Sequence, residues 1–228
     1  MAFNKTKTNK ELGDEIHKHL TKLGVETPIV EHFQKLNTPE TVTDLIAKNI
    51  ESTMTLLGLD LTDDSLRDTP TRVAKMYVDE IFYGLRPENF PKITVVENKF
   101  KYDEMLVEKN INVMSFCEHH FASIVGKATV GYIPNGKVIG LSKLNRVVDY
   151  FARRPQVQER LTAQIYHTLV KVLDTENVAV VIDADHYCVK SRGIEDTGSS
   201  TVTSKLGGAF KDDPATRTEF MALARKAG

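Results

Sequence analysis

The sequence predicts an α+β protein: an antiparallel sheet with a helix pair on one face, preceded by an N-terminal helical segment. Three observations predict it. Apolar residues recur at helical spacing between Pro39 and Gly84. From Ile93 the pattern changes to short β-branched and aromatic runs. Two helical runs, Ser142–Arg153 and Pro155–Leu173, then interrupt the strands before they resume at Asn177. The chain accordingly divides into an N-terminal helical segment, 1–92, and a sheet-bearing domain, 93–228.

Each element has its own signal. The first nine residues are polar and are expected to fray. Lys10–Leu23 forms a short amphipathic helix that stops near Gly24, and Val25–Leu36, with Pro28 inside it, is a linker. Asn37-Thr38-Pro39-Glu40 is a helix start, with a polar cap, proline in the first turn and then an acid. Leu45, Ile46, Ile50, Met54 and Leu57 make its apolar stripe, up to Gly58. Asp68-Thr69-Pro70 opens a second helix in the same way, with Val73, Met76, Tyr77, Ile81 and Phe82 as its stripe and Gly84 as its end. Ile93–Phe100, Ile111–Phe116 and Val125–Ile133 read as strands. Pro134-Asn135-Gly136 reads as a hairpin turn, because Asn-Gly tolerates positive φ. The helix pair splits at Arg154-Pro155. Asn177–Val189 is a strand paired with Ser200–Lys205, and Pro214–Lys226 is a closing helix.

Bulk properties narrow the function. A chain of 228 residues is long enough to bury a real core. Its 30 basic and 31 acidic side chains give a net charge of −1, so no overall basic field points to nucleic acid or a membrane surface. Any attraction for an anion must come from a local cluster. No apolar run approaches the roughly 20 residues needed to span a bilayer. The polar start MAFNKTKTNKELGDE argues against a secretory signal. Two cysteines are too few for a disulfide framework, which points to a reducing, cytoplasmic setting.

One of those cysteines lies in Ser115-Phe116-Cys117-Glu118-His119-His120-Phe121. Cys117 and His120 are three apart, a usual separation for two metal ligands on one turn, so His119 must point elsewhere. The other lies in His186-Tyr187-Cys188, read as a strand end with His186 and Cys188 on one face. Two thiolates and an imidazole make a Cys₂His set with a fourth tetrahedral position open, the pattern of catalytic zinc. Two buried thiols acting as small hydrophobes, or a Cys–His nucleophilic pair, are the competing readings. Histidines beside both cysteines favour the metal.

Anion-binding candidates cluster at element ends. Leu141–Arg146 opens a helix with Ser142 as cap, and Lys143 and Arg146 share one face of it. Arg192 follows Cys188 closely, and Arg72 begins an earlier helix. Taken singly, each is a solvated cation; converging, they would hold a polyphosphate. Gln158 and Glu159 lie in the first turn of a helix. Glu159 either complements the helix dipole or accepts two N–H bonds from a purine edge.

These motifs occur in order: CEHHF, then GLSKLNR, RPQVQERL and HYCVKSRG, with TPTRVAKMY upstream. Together they resemble the GTP cyclohydrolase I family, from about Thr38 to Phe220. The resemblance implies the tunnelling fold and conversion of GTP and water to 7,8-dihydroneopterin triphosphate and formate, the entry to folate and other pterins. It implies zinc on Cys117, His120 and Cys188, and proton transfer by His119 and His186. Ser142 is implied at the ribose or phosphate, with Lys143, Arg146, Arg192 and Arg72 on the triphosphate. Gln158 and Glu159 are implied at the guanine edge, with Glu118 orienting a neighbour. A homo-oligomer, a toroidal decamer with sites between subunits, is implied too. Two rivals remain: a zinc-stabilised nucleotide-binding module without turnover, and the NADPH-dependent nitrile reductase branch of the same fold.

Overall fold

A computed structural model describes residues 4–30 and 37–225. The expected linker Val25–Leu36 therefore lies partly outside the described residues. Residues 4–9 are tied down rather than frayed: Lys92 N–H donates to Lys7 O at 2.9 Å, and Thr8 bridges Pro91. Helix α1, Lys10–Lys22, starts where the Asn9 side chain accepts the Leu12 N–H. Its Ile16 and Leu20, one turn apart, are buried in the same core as the main sheet.

Helix α2, Pro39–Leu56, has Thr38 as its cap, as expected. Of its predicted stripe only Met54 is buried; Leu45 is 46% exposed and Leu57 73%. Helix α3, Thr69–Lys75, runs into a π-helical turn, Met76–Ile81. Its buried positions are Pro70, Ala74 and Ile81 rather than the whole predicted stripe.

Strand β1 is only Val95–Glu97, shorter than the expected Ile93–Phe100. Strands β2, Leu106–Cys117, and β3, Ser123–Tyr132, form a long antiparallel pair with Phe116 opposite Ser123 and Leu106 opposite Tyr132. The Pro134-Asn135-Gly136 segment does turn, with Gly136 at φ +74°. It does not close a hairpin, because β4, Lys137–Ile139, pairs with β1 instead of β3.

Helix α4, Leu141–Ala152, leads into a two-residue strand β5, Pro155–Gln156, and then helix α5, Gln158–Leu173. Strand β6, Val178–His186, is followed by a helical turn α6, Tyr187–Lys190, and strand β7, Thr201–Leu206. The sheet order is β5-β2-β3-β6-β7. Leu144, Val148 and Phe151 of α4 and Leu161, Ile165 and Leu169 of α5 form one core with Val113, Val130 and Ile182. Short helix α7, Ala209–Asp212, and α8, Pro214–Ala224, place Phe210 and Phe220 against Ala179 in a second, smaller cluster. Among the described residues no helix is long and apolar enough to cross a membrane.

Candidate metal centre

The β2–β3 connection is a tight turn. Cys117 N–H donates to Ala122 O at 2.8 Å and Phe121 N–H to Cys117 O at 2.8 Å, with Phe121 at φ +51°. A bulky residue in the left-handed region is strained, and such strain is a mark of functional turns. Helical turn α6 approaches from the end of β6, where His186 lies opposite Ile124. Ligand atoms of Cys117, His120 and Cys188 all come within 4.8 Å of one another. Ligands around a tetrahedral zinc sit roughly 3.5–4 Å apart, so this donor set fits the ion after a small inward shift.

The route of Cys188 into that group corrects an expectation. It does not share a strand face with His186; it turns in from α6 while His186 ends β6. Burial, then the neighbouring Cys117, push the Cys188 thiol up, with Arg192 opposing. Arg192 joins the centre, its Nη1 3.0 Å from His120 Nε2.

The histidines outside the triad have distinct partners. His119 is largely exposed, with Nδ1 3.6 Å from Cys117 Sγ and Nε2 3.9 Å from Glu118 Oε1. Glu118 in turn accepts from Arg160 at 2.8 and 2.5 Å. Sequence reasoning missed Arg160, although its place two residues after Gln158 in RPQVQERL was a signal. His186 is lowered below the ordinary histidine range by burial, against the pull of Glu159 and Asp185.

Gln158 corrects a second expectation. Its side chain is buried, and its Nε2 donates to Ile182 O, Thr201 O and Thr203 Oγ1 at 2.9–3.1 Å. Those acceptors fix the amide orientation, so Oε1 faces His186 Nε2 at 2.7 Å and the imidazole must donate. In the neutral ring the lone pair is therefore on Nδ1. Gln158 sets the tautomer of His186, and its side-chain amide has no N–H left for a guanine edge. Glu159, beside it, is exposed.

The cation cluster lies elsewhere. Helix α4 begins beyond Tyr132, whose hydroxyl receives the Ile139 N–H, at the end of the sheet opposite Cys117. Gly140, not Ser142, occupies the N-cap position, and Ser142 is inside the helix. From Ser142 to the Cys117 end is about 15 Å along α4 alone, at 1.5 Å per residue. Lys143 is lowered from the ordinary lysine range by burial and by Arg146, Lys7 and Lys92. Lys7 and Lys92 are cations that the sequence did not place there; their bridge is long-range. Arg72 is exposed and pairs with Asp68 on its own helix. One chain thus brings together Cys117, His120, Cys188, His119, His186, Glu159 and Arg192, but not Ser142, Lys143 or Arg146.

A cavity of about 720 Å³ opens beside the turn. Glu118, His119 and Phe121 form part of its wall, with Tyr77, Phe82 and Arg86. That volume is in the range of small-molecule sites.

The family model for GTP cyclohydrolase I matches residues 46–225. The chain belongs to the GTP cyclohydrolase I family. Relatives agree over nearly full length. A GTP cyclohydrolase 1 from Yersinia enterocolitica is 57% identical over 93% of this chain and 96% of its own. One from Shewanella denitrificans is 56% identical over 90% and 94%, and one from Salmonella arizonae 57% over 92% and 94%. Among solved structures, a dihydroneopterin aldolase from Burkholderia thailendensis bound to guanine covers 47% of this chain and 93% of its own, at 13% identity and TM-score 0.32. The five-stranded sheet with α4 and α5 on one face is the α+β arrangement that the family resemblance implies.

Proposed function

We propose that this chain hydrolyses the imidazole ring of GTP and recloses the product to 7,8-dihydroneopterin triphosphate, releasing formate. The observation that carries this is the Cys117–His120–Cys188 group, with His119 and a tautomer-fixed His186 beside it, in a chain of this family. A zinc ion held by those three residues supplies Lewis acidity that makes a water nucleophilic near neutral pH. His186, neutral and with its lone pair on Nδ1, takes a proton; His119 delivers one to the guanine ring. Glu159 accepts the N1–H and 2-amino hydrogens of guanine.

Lys143 and Arg146, with Ser142, hold the triphosphate and ribose from a second copy, because they lie at the opposite sheet end from the metal group. Arg192 reaches the phosphates from the metal end, and Arg72 is the fourth cation of the set. A ring of subunits, a toroidal decamer, gives every metal end a cation end to face. The exposed Leu45, Leu56 and Leu57 of α2 support assembly, since such apolar surface is usually covered. Two cysteines outside any disulfide fit a cytoplasmic enzyme. Incubation with GTP should release formate and give a pterin that fluoresces after oxidation, and Cys188→Ala should give neither. Guanosine triphosphate bound without formate release would favour the nucleotide-binding module instead.

A further inference from the structure

Glu26 lies in the N-terminal segment, outside every motif singled out in the sequence, yet it is part of a buried polar network that ends on the metal turn. We propose that Glu26 is a positioning residue for Cys117 and Glu118, acting through Arg154. The inference rests on the metal reading of the Cys117 turn.

The connection is continuous. Arg154 is 2% exposed. Its guanidinium stacks on the Tyr150 and Phe151 rings, 4.8 and 4.7 Å from their centroids. Nε donates to Gly84 O at 2.6 Å; Nη1 donates to Glu26 Oε1 at 2.5 Å and to Thr27 Oγ1 at 3.3 Å. Gly84 is required there, since a Cβ would lie 2.1 Å from Tyr150 O. The backbone of Arg154 then leads directly into β5. Its carbonyl accepts the Ser115 hydroxyl, Pro155 and Gln156 pair with Phe116 and Cys117, and Gln156 O accepts the Glu118 N–H at 3.0 Å.

A second route runs in parallel. Gln156 Nε2 donates to Gln164 Oε1 at 2.8 Å, and Gln164 Nε2 donates to Val25 O, Glu26 Oε1 and Thr27 Oγ1. The other Glu26 oxygen pairs with His17 of α1 at 2.9 Å.

Strand β5 has two residues and stands at the sheet edge. So short a parallel strand has few ladder bonds of its own, and its place is set by what flanks it. Arg154 is the flank, and a buried guanidinium stays where its counter-charge holds it. Without the Glu26 carboxylate, the guanidinium must find water or another acceptor, and β5 moves with it. The groups it would disturb are the Cys117 backbone and the Glu118 N–H, at the base of the turn that carries two of the three ligands. Partners beyond the ligands of a metal commonly change its affinity by about 10–100-fold.

The test measures zinc release to a chromophoric chelator at 25 °C, together with kcat and KM for GTP, in the full-length holoenzyme. Glu26→Gln is expected to release zinc about ten-fold faster or more and to lower kcat with KM little changed. Glu26→Asp should recover part of both. Thr27→Val removes an acceptor of Arg154 and Gln164 at nearly constant volume, and should shift both readouts in the same direction by a few-fold; it serves if Glu26→Gln does not fold. Leu20→Val, a core change on α1 outside the network, supplies the comparison for lost stability alone. The proposal is overturned if Glu26→Gln, or Thr27→Val in its place, keeps wild-type zinc release and kcat. It is equally overturned if Leu20→Val at a similar Tm loss matches the variant in both. A wild-type protein that holds no zinc would instead overturn the metal reading itself.

Discussion

At the Cys117 end of the five-stranded sheet, two thiols and an imidazole converge within 4.8 Å, with Glu159, His186 and Arg192 around them. At the Tyr132 end, Lys143 shares its surroundings with Arg146, Lys7 and Lys92, and among the described residues the one three-ligand group lies at the other end. The proposed reading gives the first end the ring-opening chemistry, with Arg192, Arg160 and Lys190 as cations around it, and gives the second end the triphosphate. Helix α4 keeps them apart by its length. On the proposed reading each copy carries both half-sites, and a complete site would form where the metal end of one copy meets the cation end of another.

The comparison breaks most visibly at the metal end. Cys188→Ala should leave the protein without zinc and without formate release, measured by metal analysis and a GTP assay. Retention of both would remove that half of the comparison. Chelation of the wild type should do the same and expose two reactive thiols per chain in a thiol titration.

Glu159→Ala sharpens the claim that the metal end reads the base. A site built to accept a substrate N–H rejects an analogue lacking it by roughly 10⁴. GTP should be used and ATP ignored, and the variant should lose most GTP turnover at wild-type zinc content. Turnover within a few-fold of wild type would mean that Glu159 only complements the dipole of α5, worth about 0.3–1 kcal/mol.

Glu26→Gln probes how the metal end is braced. Burial pushes the Glu26 carboxyl up, but Arg154, His17 and the Thr27 N–H more than reverse it, leaving it below the ordinary carboxylate range. A depressed folded value contributes stability above the unfolded pKa and loses it as pH falls through the folded one. Breaking a buried pair costs roughly 3–5 kcal/mol. Thermal denaturation should show the wild type ahead of the variant by that order at pH 7, with the gap closing below about pH 4. A gap that is constant with pH would remove the charge from the explanation.

Arg146→Ala and Arg192→Ala give the smallest expected effects, one at each end. Each charge-assisted contact is worth roughly 1.5–3 kcal/mol of GTP affinity, with guanosine unaffected. Equal losses for GTP and guanosine in a direct binding assay would take either residue off the phosphates.

What could be read from the sequence divides along the same line. Helix starts at Thr38 and Thr69 were legible because early prolines are local signals, joined at Thr38 by a side-chain cap that Asp68 does not make. The Cys117–His120 spacing was legible because one turn carries both. The convergence of Cys188 on them was anticipated, but its route through a helical turn was not: four residues of helical φ/ψ after a strand leave no periodicity to detect. Gln158 was misread because its position near Glu159 was visible while the burial that commits its amide was not. The Asn-Gly turn was real, but which strand follows it is a long-range choice. Glu26 acts through partners distant in sequence and nothing local marks it, whereas Arg160 had only its place in RPQVQERL as a signal. The separation of Lys143 from Cys117 follows from strand register and helix length together, and no motif encodes either.

The most direct test of the composite site uses two dead variants. Cys188→Ala has an intact cation end and no metal end; Lys143→Ala/Arg146→Ala has the reverse. Each is assayed alone, then both are unfolded, mixed one to one and refolded with zinc. If metal end and cation end come from different copies, random assembly restores about a quarter of wild-type formate release, because each half-site is intact in half the subunits. If both ends of one chain serve one site, no mixed assembly contains a complete site, and activity stays at the level of the variants alone. That second result would contradict the account.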